Sequence, residues 1–330
     1  MSDFSFSTSM SVMRKTAPFL FFRMAVYFGI AVAWILATGT GAGIGWGVGA
    51  MGDDGFQASS TLWGGAAGFG IAGAALFFMR DYILYMVKAG HIAVMIEYLE
   101  GRDIPGGKGQ IAYAQGIVKE RFAQANVLFA IDRLIKGVIR AVTGLVQGIA
   151  SLLPIPGLDG IMNLVRAFLK VAVGLIDEVI LAHLIREKVE NPWTGAQEAL
   201  VLYAQNAKPM LKNAAIITIV SYILSFVVFL IMLAPAGAVV YMIPGGWSAG
   251  GFVFAIIFAW AVKAALIEPF AIACLLQAYF KVTEGQTPDP EWMNKLENTS
   301  GKFRSLGEKA VSWVSGGRAG TSTDAPAQTG

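Results

Sequence analysis

The sequence predicts an all-α integral membrane protein with about six hydrophobic helical segments arranged in three hairpins. Three observations lead there. Of 330 residues, 55% are hydrophobic and only 14% charged, and the mean hydropathy is +0.60. That is more apolar surface than a soluble domain of this length can hide. The apolar residues also gather in runs of the length a bilayer core demands, about 20 residues of helix. Lysine and arginine, finally, avoid two of the connections between runs and crowd the others.

The elements follow in chain order. Residues 1–15 read as a cytoplasmic N-terminus. The run "APFLFFRMAVYFGIAVAWILATG" gives a first span, Ala17 to about Ala37. Arg14 and Lys15 precede it as in a secretory signal, but Arg23 interrupts it and no clean small-x-small cleavage site follows at the right distance, so it reads as an uncleaved span. The connection from Thr38 to Thr61 carries Asp53 and Asp54 without any Lys or Arg. Leu62–Met79 is the second clear span, Ala214–Ala234 the third and Gly251–Leu276 the fourth. The stretch Pro235–Gly250 has no charge, whereas Lys88, Arg102, Lys108, Lys119 and Arg121 follow the second span and Lys281, Lys295, Lys302 and Arg304 follow the fourth. Positive-inside bias then places both termini in the cytoplasm of a multi-pass protein of a bacterial-type inner membrane.

Residues 126–188 form an ambiguous hairpin. Two helical patterns meet at "LLPIPGLDG", where Pro154, Pro156 and Gly157 break the helix. Each arm offers about 13 uncharged residues, roughly 20 Å of helix, which is short of a bilayer core. The pair is either re-entrant or spans with its charges sheltered by protein. The hairpins so defined cover 16–100, 124–190 and 213–283 within a membrane domain of 16–315. The small, polar tail 316–330 has the composition of a disordered segment.

A repeat runs through the chain. Three helices each reach an acidic residue, a Pro-containing turn and an amphipathic stretch: "EYLEGRDIPGGKGQIAYAQGIVKERF", "REKVENPWTGAQEALVLYAQNAKPMLK" and "KVTEGQTPDPEWMNKLENTSGKF". The tripeptide "YAQ" recurs at Tyr113–Gln115 and Tyr203–Gln205. Each hairpin is therefore expected to end in a cytoplasmic surface helix, among them 109–124 and 194–213.

The charges inside apolar helices are the candidate functional residues, because an ionic group at bilayer depth costs several kcal/mol unless it is paired or hydrated. In the central hairpin Asp132, Lys136, Arg140, Thr143 and Gln147 share one helical face, and Asn163, Arg166, Lys170 and Asp177 make a second. Such faces pair, line a hydrated path or lie against headgroups. Lys263 and Glu268 interrupt the last span, and Pro269 frees a backbone carbonyl one turn before that carboxylate. Asp177 and Glu178 hold a comparable place in the second hairpin, and Arg80, Asp81, Lys88, His91 and Glu97 in the first. The conduit candidates are thus Asp132, Lys136, Arg140, Arg166, Lys170, Asp177, Glu178, Lys263 and Glu268, with Glu178 and Glu268 the candidate binders of a cation or proton. Salt bridging between helices at the lipid boundary is the alternative role for the same residues.

Other patterns exclude more than they propose. Gly47, Gly49 and Gly52 fit G-x-G-x-x-G, but no strand precedes them. Gly39, Gly43 and Gly47, and Gly41, Gly45 and Gly49, recur every fourth residue, the spacing of close helix packing in lipid or of a glycine-lined loop dipping into the membrane. His91 and His183 lack the spacing of metal ligands and suit helix-interface hydrogen bonds. Cys274 is the lone cysteine. No catalytic motif appears, so neither an enzyme nor a cofactor is expected, and a net charge of +3 without a basic groove argues against nucleic acid.

The order of "LWGGAAGFGIAGAALFFMRD", the charged hairpin, "NPWTGAQEALVLYAQNAKPMLKNAAIITIVSYILSF" and the ending "FKVTEGQTPDPEWMNKL" resembles the membrane core of the choline transporter-like family. The resemblance implies movement of a small organic cation, with Trp260, Tyr279 and Glu268 as aromatic and carboxylate contacts. Two functions are therefore expected. One is a conduit or permease for a small polar solute, in an oligomer. The other is a scaffold or accessory subunit whose basic helices bind a partner protein or anionic lipid of the bilayer.

Overall fold

A computed structural model describes residues 2–79, 84–122, 131, 134–138, 175–242 and 250–321. Among these residues the chain is all-helical, without strands. Helix α1 (Phe6–Lys15) starts at Ser5, whose hydroxyl accepts the Thr8 N–H at 3.3 Å. Thr16 separates it from α2 (Ala17–Gly49), a helix of 33 residues and hence about 50 Å. The glycine-rich run lies inside α2 as far as Gly49, and of its glycines only Gly52 falls in the turn beyond it. The chain then turns on Asp53, whose carboxylate caps the N–H of Phe56 at 2.7 Å, and returns as α3 (Asp54–Met79). A Cβ placed on Gly41, Gly45 or Gly68 would overlap the backbone of Gly64, Ser60 or Ala37. The close approach of α2 and α3 therefore requires glycine there, and the packing alternative for that run is the one the structure shows.

Helix α4 (Tyr85–Leu99) and α5 (Gln110–Phe122) form the first repeat unit, α6 (Ile176–Arg186) and α7 (Pro192–Gln205) the second. Helix α8 (Ala207–Met242) and α9 (Gly250–Val262) make the last hairpin. After a π-helical turn at Lys263–Ile267 the chain continues as α10 (Glu268–Val282), then α11 (Pro290–Thr299) and α12 (Gly301–Thr321), which runs past Gly316.

The three acidic turns are built alike. Helix α4 ends at Glu100 and left-handed Gly101, α6 at Glu187 and left-handed Lys188, and α10 is followed by Glu284 and left-handed Gly285. Reversal through a left-handed residue satisfies the last carbonyls of a helix. Helices α7 and α11 then restart with an Asn191–Pro192 and an Asp289–Pro290 pair, in which the side chain caps the first turn and proline takes the position that lacks a donor partner anyway.

Among the described residues four helices are long and apolar enough to cross a membrane: Ala17–Gly49, Asp54–Phe77, Ala207–Met242 and Gly251–Val282. Each exceeds the span read from sequence. Only 11% of the most apolar window of α8 is buried against protein, against 44% for α9–α10, so the latter is the inner span. The rest of the chain packs on a core of α4, α6, α7 and α10 side chains, with Ile92, Met95, Ile180, Val201, Ile272 and Tyr279 at its centre. Helix α7 departs from the expected surface helix over 194–213. It stops at Gln205, and Trp193, Ala196, Ala199 and Val201 are buried as α7 packs between α6 and α12.

Candidate ionic site between the repeat helices

The inner helix of each repeat unit carries an ionic side chain in its first turn, α6 two of them, and one from each helix meets the others. Lys88 of α4, Glu178 of α6 and Glu268 of α10 converge, with Lys88 Nζ 2.5 Å from Glu178 Oε1 and 2.9 Å from Glu268 Oε1. Arg23, fully buried two turns into α2, approaches from the other side and places Nη2 3.8 Å from Glu268 Oε2. On the flank of the cluster Lys136 Nζ stands 3.6 Å from Asp177 Oδ2.

The π turn explains how Arg23 is held. Its register passes the Glu268 N–H to the Lys263 carbonyl, so the partner of the Ala264 carbonyl would be residue 269. That residue is Pro269, which has no N–H. Arg23 Nη2 fills the gap, donating to Ala264 O at 2.5 Å. The guanidinium also lies 5.5 Å from the centre of the Tyr27 ring, from which an aromatic series runs along the spans: Tyr27 to Trp260 at 5.5 Å, Trp260 to Trp34 at 6.4 Å and Trp34 to Phe69 at 5.7 Å.

Exposure is graded across the site. The Glu178 side chain is 1% exposed and that of Arg23 0%, whereas Lys88, Glu268 and Lys136 reach 20%, 26% and 47%. One edge of an otherwise enclosed ion network is therefore uncovered by protein. Several polar atoms inside it are buried and have no hydrogen-bond partner among the described residues: Arg23 Nε and Nη1, Asp177 Oδ1 and Glu178 Oε2. Burial alone would lower the Lys88 ammonium, but Glu178 and then Glu268 outweigh it and hold it well above the usual lysine range. Burial likewise opposes ionisation of Glu178, yet Lys88 keeps its carboxyl below the ordinary glutamate value. Asp177 goes the other way, raised by burial and then by the neighbouring Glu178 charge. Two adjacent carboxyls are thus pushed apart in acidity.

Of the residues nominated from sequence, the structure brings Lys136, Asp177, Glu178 and Glu268 into this cluster. Lys263 is exposed and joins no ion pair among the described residues; only its carbonyl takes part, through the π turn. Asp132, Arg140, Arg166 and Lys170 lie outside the described residues. Trp260 belongs to the aromatic series, but Tyr279 is about 16 Å of helix beyond Glu268 and its hydroxyl meets His183 Nδ1 at 3.2 Å. Both histidines bond across helix interfaces, His91 Nε2 to the Thr16 hydroxyl at 3.1 Å while stacked on Phe19. Burial pushes His183 down to about 4 and His91 well below the usual imidazole value.

Sequence reasoning set Lys88 beside Glu178 and Glu268 as the first hairpin's counterpart but counted neither it nor Arg23 among the site candidates. The signal for Arg23 was present, since an arginine within an apolar run requires a partner. Its acceptor, a carbonyl freed before Pro269, had been anticipated; its donor had not.

A second ionic group lies at the far ends of α4 and α6. Arg102 binds Glu97 at 2.7 Å and also Glu100, and Arg186 binds Glu100 at 2.7 Å. Tyr113 donates to Glu97 at 2.7 Å, and these residues line an open pocket of about 530 Å³. No family model, curated protein or solved structure matches the chain.

Proposed function

We propose that this chain is a multi-pass membrane protein that moves a small polar solute, with the ionic cluster of Lys88, Glu178, Glu268 and Arg23 as the point the solute must pass or displace. The carrying observation is the cluster itself, in which three helices at equivalent places in the repeat bring Lys88, Glu178 and Glu268 to a common point that protein encloses on one side and leaves uncovered on the other. Buried ionisable groups between repeated helices mark solute or proton paths in membrane proteins. On this reading the termini face the cytoplasm, because the connections without Lys or Arg lie at the opposite ends of the spans. The resemblance to the choline transporter-like family makes an organic cation the first solute to test, with Glu268 and the Trp260–Tyr27 series as its nearest contacts.

Stopped-flow swelling of proteoliposomes under inward gradients of choline chloride, glycerol and sodium glutamate tests this directly. The protein speeds swelling with at least one solute, and Glu268→Gln, folded to the same monodisperse species, removes most of the gain. Rates equal to those of protein-free vesicles for all three would sink the conduit. The second reading, a docking subunit, is favoured by the completeness of the Lys88 pairing, which is also what a purely structural network needs.

A further inference from the structure

We propose that the outer edge of α1 rests in the headgroup layer of the bilayer and recognises anionic lipid. The proposal rests on the membrane reading of the chain but not on transport. Helix α1 is about 15 Å long and bridges the starts of two spans from different hairpins. At one end the Asp3 N–H donates to Asn213 Oδ1 at 2.9 Å and Asn213 Nδ2 donates to Asp3 Oδ2 at 2.8 Å, in the second turn of α8. At the other end Thr16 leads directly into α2. Its inner face is fixed on α10: Val12 and Met13 are buried, Ser9 Oγ lies 3.0 Å from Cys274 Sγ, and Gln277 Nε2 donates to Ser9 Oγ at 2.6 Å. A helix tied to the first turns of two spans lies across them, at the level where those spans enter lipid.

The outer edge fits that level. Phe6, Met10 and Arg14 follow at four-residue intervals, so they share one edge. Phe6 and Met10 are 43% and 47% exposed although Phe6 stacks on Phe270 at 6.0 Å. Next around the helix come Ser7 and Ser11, both exposed. An apolar edge that ends in a basic residue and is flanked by hydroxyls is what an interfacial helix presents to acyl chains, headgroups and water. The charge is mainly positive: Arg14 and Lys15 at one end, Lys208 and Lys212 in the first turns of α8 at the other. Arg14 and Lys208 have no carboxylate within 4.0 Å among the described residues, and the acid at the far end, Asp3, is engaged by Asn213 and by Lys281 at 3.7 Å. Basic groups so placed attract an anionic headgroup.

The test uses the full chain in vesicles of phosphatidylcholine with phosphatidylglycerol, carrying an environment-sensitive nitrobenzoxadiazole probe on Met10→Cys; wild type, whose Cys274 is buried, serves as the unlabelled control. The expected result is emission protected from aqueous iodide and quenched by shallow spin-labelled lipid, relative to the same probe on Ser312→Cys. Spin-labelled phosphatidylglycerol quenches more than the matching phosphatidylcholine, and Arg14→Gln with Lys15→Gln abolishes that preference. Free iodide access without lipid quenching overturns the proposal, as does protection from both quenchers, which would mean that protein covers the edge. Equal quenching by the two labelled lipids overturns the anionic selectivity.

Discussion

Asp177 and Glu178 are neighbours with opposite consequences. Glu178 carries the charge that Lys88 needs, so Glu178→Gln leaves a buried ammonium short of a partner and costs about 3–5 kcal/mol. Asp177 is held toward its neutral form by burial and by Glu178, and a carboxyl raised in the folded chain loses stability as pH climbs from the unfolded value toward the folded one. Asp177→Asn is therefore neutral or stabilising at pH 7. Melting of both variants in the same detergent separates the two, and equal losses would contradict the assignment. His183 supplies the acid-side counterpart. Folded, it stays neutral down to about 4, whereas the free imidazole protonates near 6.5. Between those values the unfolded chain takes up the proton first, so acidification through this window removes up to about 3 kcal/mol. His183→Asn should flatten that part of the melting profile, and an unchanged slope would count against it.

At the scale of the element, the glycines of α2 divide into two faces that composition cannot tell apart. Gly41 and Gly45 touch α3 backbone, whereas Gly39, Gly43 and Gly47 have nothing within 4 Å. Gly41→Leu should force the hairpin apart, while Gly43→Leu places its side chain in open space and leaves the stability within about 0.5 kcal/mol of wild type. Similar melting losses for both would mean that α2 packs by another face. The existence of the four apolar helices was legible because length and hydropathy suffice for it. Their ends were not. Helix α2 continues through a glycine-rich run that reads as a loop in isolation, and α9–α10 runs on into a protein core whose apolar side chains look the same as lipid-facing ones. The repeat was legible through its Glu and Pro punctuation, which is local chemistry, although Lys188 in the place of glycine disguised the second copy.

For the whole molecule, the ionic cluster is the joint at which all three repeat helices and α2 meet. Sequence could nominate Glu178 and Glu268, since a buried charge announces itself, but not that Lys88 is the partner they share. Lys88 and Glu178 are 90 residues apart, and Arg23 and its acceptor Ala264 are 241 apart. Such pairings come from packing, which no local pattern encodes. The fold in turn depends on them, because helices with ionic first turns associate only if the charges cancel. The most direct measurement is a double-mutant cycle on Lys88→Met and Glu178→Leu, read as melting temperature in detergent. The account predicts that each single change is strongly destabilising and that the double variant recovers most of the loss, since it removes both charges together. A double variant whose loss equals the sum of the two single losses would show that the ions are not coupled and that the three helices are held together by something else.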